Sequence, residues 1–259
     1  MEILGITEVQ FFTFLLVLIR LGSLFAFAPI FGSAAIPGAV KSALVLGLTL
    51  SLVALGVPGP VAVPTSAGHT LLLVVQEMLL GILLGYIAGL VFAAVALAGQ
   101  SIGMDMGLGI VSVMDPQFET QVSVISQVQT ILATLLFLSV GGERLLVEVF
   151  ATNLTRIPPG QLMFRGPLLE VLVFLTGEVF RVGLQIAAPV IAAMFAANVL
   201  LGIFARSVPQ MNMLILGFPL KIFVGFAVMG LSLDYVGRVV VQAFSDTFEA
   251  LAGVAGLLG

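Results

Sequence analysis

From Leu168 to Arg206 the chain stays apolar for about 39 residues, with few polar interruptions. One straight helix of that length would measure about 58 Å at 1.5 Å rise per residue. The hydrocarbon core of a bilayer is only about 30 Å thick. Pro189 lies near the middle of the run and cannot donate to a helical ladder. The run therefore predicts one of two things. It holds two segments joined with almost no loop, or it is a helix that leaves the bilayer and continues within a protein assembly.

The rest of the chain is of the same kind. Val9–Phe31, Ser42–Val57, Leu71–Ala98, Val122–Val140 and Met213–Leu233 are further apolar runs, the last interrupted by Gly217 and Pro219. Only 8% of the residues are charged, against roughly a quarter in soluble domains, and the mean hydropathy is +1.26. No water-soluble surface can be built from so few charges, so the sequence predicts an all-α integral membrane protein. The first residues are acidic at Glu2 and Glu8, and the apolar run behind them is long and contains Arg20. They read as a retained first helix rather than a cleaved signal. Loops are marked by "IPGAVK" at Ile36–Lys41 and "VPGPVAVPTSAG" at Val57–Gly68. The most polar stretch is Gly141–Pro167, and Asp234–Gly259 has the period of an amphipathic helix. Positive charge is scattered, so the positive-inside rule gives no orientation.

Composition also excludes functions. There is no cysteine, and His69 is the one histidine, which leaves no metal set or thiol chemistry. Neither HExxH nor a P-loop occurs, so neither an enzyme nor a cofactor is expected. The net charge of -4 carries no basic block, which argues against nucleic acid as a partner.

Six charged residues lie within or at the ends of apolar runs: Arg20, Glu77, Glu178, Arg181, Arg206 and Lys221. Each would cost a few kcal/mol facing lipid at mid-depth. They must face protein, water or one another. Glu178 and Arg181 share a helix face at i, i+3. One reading is an ion or substrate path; the other is a set of ion pairs that fix helices or subunits to each other. "GILLGYIAG" spaces Gly81, Gly85 and Gly89 four apart, a face that permits close helix approach.

"IGMDMGLGIVSVMDPQ", Ile102–Gln117, is rich in methionine and glycine and has no cation. Gly103, Gly107 and Gly109 open dihedrals closed to other residues. Met104, Met106 and Met114 are unbranched and adaptable, able to seal an irregular gap. Asp105 adds an acid, and Asp115–Pro116 is a turn or helix-start signal. The stretch fits either a plug across a pore or an ordinary solvent loop.

Three strings, "RLGSLFAFAPIFGSAAIPGAVKSAL" (Arg20–Leu44), "GQSIGMDMGLGIVSVMDPQ" (Gly99–Gln117) and "APVIAAMFAANVLLGIFARSVPQMNMLILGFPLKI" (Ala188–Ile222), closely resemble the FliR family of flagellar type III export-gate proteins. The resemblance covers nearly the whole chain in order. It departs slightly at Arg144, where that family often has histidine. It implies a subunit of a hetero-oligomeric, conical export channel built of helical hairpins with broken helices. The partners implied are FliP-like, FliQ-like and FlhB-like subunits, the cargo is unfolded flagellar proteins, and the place is the bacterial inner membrane at the flagellar basal body. By the same resemblance, residues 1–187 are a FliP-like portion, residues 188–259 are FliQ-like, and residues 99–121 form the family's plug. The plug role then falls on Gly103, Met104, Asp105, Met106, Gly107, Gly109, Met114, Asp115 and Pro116. The alternatives are a secondary transporter using Glu77, Glu178 and Lys221, and a scaffold subunit that never touches cargo.

Overall fold

A computed structural model describes residues 7–33, 36–108, 123–162, 168–207 and 213–258. Among them there are eight helices and no strand. These are α1 (Glu8–Phe27), α2 (Gly38–Ala54), α3 (Ala67–Asp105), α4 (Val124–Ser139), α5 (Gly142–Arg156), α6 (Leu168–Ser207), α7 (Met213–Leu231) and α8 (Leu233–Leu258). By length and composition α1, α3 and α6 are able to cross a membrane, and the number rises to five if each bent pair, α4–α5 and α7–α8, is one span.

Local chemistry sets the ends. Thr7 accepts from the Gln10 N–H at 3.2 Å while the Gln10 side chain accepts from the Thr7 N–H at 3.0 Å, a capping box that starts α1. Pro29 follows its last turn. Gly141 takes a left-handed φ of 69° and separates α4 from α5. The polar stretch after it is helical because Leu146, Phe150 and Leu154 repeat every four residues and are buried together. Glu143 in the first turn and Arg156 in the last suit the helix dipole.

The long C-terminal run is one unbroken helix. α6 passes through Pro189, and residues 187 and 188 lie inside it. Its 40 residues span about 60 Å. α3 is nearly as long at 39 residues and continues past Ala98, where the apolar run ends, as far as Asp105.

The chain forms two compact units. The first is Met1–Leu90, Gly141–Leu175 and Ser245–Gly259. Its core comprises Leu16, Val17, Leu21 and Leu24 of α1 against α3 and α5 residues such as Leu80, Leu84 and Phe150. The second is Val91–Val140 and Thr176–Phe244. There Phe92, Phe137 and Phe244 form a triangle with ring centroids 5.3–5.8 Å apart. In lipid, apolar burial gives no transfer gain, so close packing and hydrogen bonds must hold such helices together. The candidate site shows both.

Candidate functional site

In the first unit, Arg20 of α1 and Glu77 of α3 form a buried ion pair. Arg20 Nε donates to Glu77 Oε2 at 2.5 Å, and neither side chain is exposed. The guanidinium reaches further: Nη1 donates to Asn153 Oδ1 at 3.2 Å and to the Ile157 carbonyl at 2.9 Å. Ile157 caps the C-terminal end of α5, where a cation also meets the negative end of the helix dipole. Glu77 Oε1 accepts from the Gly160 N–H at 3.0 Å. Gly160 has φ 82°, and a Cβ there would come within 2.8 Å of Leu73 Cδ2, one turn before Glu77. The Pro158–Pro159–Gly160 turn therefore folds onto α3 because its glycine has no side chain.

Close approach of α1 and α3 makes the pair possible. A Cβ on Gly81 would overlap the Arg20 carbonyl oxygen and Ser23 Oγ, and one on Gly85 would lie 2.7 Å from the Leu24 carbonyl oxygen. Gly89 is looser, with the Phe27 carbonyl oxygen 4.0 Å from its Cβ position. Glu77, Gly81 and Gly85 thus line one α3 face, meeting α1 at Arg20, then Ser23, then Leu24 and Phe27. Contacts advance together along both helices, so α1 and α3 run parallel.

In the second unit the same device joins α3 to α4, here antiparallel. Cβ atoms on Gly99 and Gly103 would overlap Ser126 and Ser123 respectively, and Ser126 Oγ donates to the Ala96 carbonyl at 3.0 Å. The start of the methionine-glycine stretch is therefore helix, not loop: Gly103, Met104 and Asp105 belong to α3. The helix ends just beyond. Leu108 N–H donates to the Gly103 carbonyl at 3.0 Å and Gly107 N–H to that of Met104 at 2.9 Å, with Gly107 at φ 83°. This is a Schellman cap with glycine at its left-handed position. Met104 is 61% exposed, whereas Met106 is fully buried. Gly109, Met114, Asp115 and Pro116 lie outside the described residues.

The remaining charges sit elsewhere. Glu178 and Arg181 form an ion pair on the exposed side of α6, and Arg206 is exposed in its last turn. Lys221 of α7 is half-buried. It lines a groove of about 330 Å³ between α6 and α7 with Asn198, Gly202, Gly217 and Phe218 among its walls. His69 is exposed in the first turn of α3. Among the described residues no cluster of three metal-ligating side chains occurs. Glu77 is engaged by Arg20 and Gly160, and Glu178 by Arg181, so neither is a free carboxylate for a transported ion. No local sequence pattern signals that Asn153, Ile157 and Gly160 serve the Arg20 pair; by sequence the Pro-Pro-Gly string is only a breaker.

The fold and these packed glycines define a helical membrane protein whose inner charges join its own helices. Comparison with known proteins narrows this. The family of bacterial export proteins, family 1, matches residues 11–247. The flagellar biosynthetic protein FliR of Escherichia coli is 31% identical over 237 residues, 92% of this chain and 90% of its own length. Its namesake in Bacillus subtilis is 32% identical over 249 residues, 95% of each, and that of Aquifex aeolicus is 32% identical over 239 residues, 92% of this chain and 91% of its own length. The chain belongs to the bacterial export protein family 1. It is a membrane component of the flagellar export apparatus, in a family of export proteins rather than enzymes.

Proposed function

We propose that the chain is a core subunit of the flagellar type III export gate, set in the inner membrane at the basal body. With FliP-like and FliQ-like subunits, and beside a FlhB-like protein, it forms the channel for unfolded flagellar proteins. Residues 1–187 take the FliP-like place and 188–259 the FliQ-like one.

The observation that carries this reading is α6. Its apolar surface continues along its whole length, with Leu169, Phe174, Phe180, Phe195 and Phe204 all largely exposed. Only 28% of its most apolar window is buried within the chain. About 60 Å of helix fits a 30 Å hydrocarbon layer only at a tilt of about 60°, beyond the usual 0–40° range. Apolar surface that lipid cannot reach needs protein cover, which favours several hydrophobic helical partners.

The stretch at residues 99–121 serves as plug. An opening wide enough for an unfolded chain would dissipate ion gradients, and a deformable apolar seal excludes ions by dewetting while yielding to a polypeptide. Met104 and Met114 supply such a seal. Deleting residues 109–116 keeps the packed end of α3. With the complex assembled, membranes carrying this variant are expected to leak small ions. An assembled, ion-tight variant with normal export defeats the plug and leaves a scaffold. Native-level extraction in mild detergent, followed by mass spectrometry, checks the partners; a chain recovered alone would defeat the gate.

A further inference from the structure

The C-terminal cap of α3 is gripped by α7. A Cβ on Gly225 would come within 2.7 Å of both Met106 Sδ and Met106 Cε, so the thioether occupies the notch left by a missing side chain. A Cβ on Gly107 would come within 2.6 Å of Phe218 Cε1, so the Phe218 ring lies over the left-handed residue of the cap. Phe218 and Gly225 are two turns apart on one stripe of α7, and the two residues they hold are adjacent. An unbranched thioether suits this notch, which a β-branched side chain would not enter.

We propose that Phe218 and Gly225 are positioning residues that fix where and in which direction the chain leaves α3, with Met106 as the fastener. This rests on the plug reading and divides the methionines that it treats alike. Met104 faces outward and is available to a seal. Met106 faces inward and belongs to the hinge post. Phe218 also lines the Lys221 groove. A partner seated in that groove therefore bears on the same ring that holds the end of α3.

The chain has no cysteine, so Leu108→Cys gives a single labelling position at the exposed end of the cap. A nitroxide is attached there in the assembled export complex with the full chain. Gly225→Leu is expected to shorten the label's rotational correlation time severalfold, because the leucine expels Met106 from its notch. Adding Met106→Ala returns the volume and is expected to restore the native spectrum. Gly225→Ala gives the same reading on a smaller scale if the leucine variant does not assemble. An unchanged spectrum in the assembled Gly225 variant overturns the proposal, as does failure of Met106→Ala to restore it. Ion leak and export are read in parallel. A spectrum that responds and is restored, with leak and export unaltered, upholds the grip on α3 and removes the plug.

Discussion

Arg20 and Glu77 lie 57 residues apart in sequence and 2.5 Å apart in space, with neither side chain exposed. Removing one partner strands the other charge in the interior. Glu77→Leu is expected to destabilise the chain by about 3–5 kcal/mol. The double variant Arg20→Met/Glu77→Leu should recover part of this, because no buried charge is left unpaired, while the Gly160 N–H, Asn153 Oδ1 and the Ile157 carbonyl each lose a partner. Thermal unfolding in detergent reads both. Equal loss in single and double variants would show that the charges are not coupled.

Glycines on one α3 face should respond unequally. Gly81→Ala forces a Cβ into the Arg20 carbonyl and Ser23, an overpacking worth about 1–3 kcal/mol. Gly89→Ala meets only the Phe27 carbonyl oxygen at 4.0 Å and should be neutral or stabilising by about 0.5–1 kcal/mol. The same melting measurement separates them. Equal behaviour would mean that α1 and α3 do not approach as closely as described.

Lys221→Ala is expected to leave the chain in the membrane yet reduce its recovery in complexes. The half-buried ammonium in the α6–α7 groove asks for an anionic group to accompany it. Native electrophoresis of extracted membranes, blotted for the chain, makes the comparison. Complexes at the native level would remove Lys221 from assembly.

The helical membrane architecture was legible because apolar runs leave few alternatives once backbone groups must be satisfied internally. Ends were less so. Gly103 looked like the start of a loop, but helix continues to Asp105, because Gly99 and Gly103 serve close packing on Ser126 and Ser123. The glycine that ends the helix is Gly107, and only its dihedral tells them apart. α5 lay hidden in the most polar stretch, since its apolar stripe of Leu146, Phe150 and Leu154 is narrow. Arg20 and Glu77 stood out as costly charges, but their partners Asn153 and Gly160 lie 133 and 83 residues away respectively. No local pattern reports a contact at that separation. Gly225 was equally silent, because a notch is visible only with the methionine in it.

The length of α6 also bears on how much of this protein a cell can keep. A lone copy would hold an oily rod about 60 Å long, with phenylalanines exposed from end to end. Neither water nor a membrane of ordinary thickness shelters all of it. Copies made in excess of their companions would offer that surface to chaperones and proteases before anything else. The supply of companions, more than the rate of its own synthesis, would then set the amount of chain that survives.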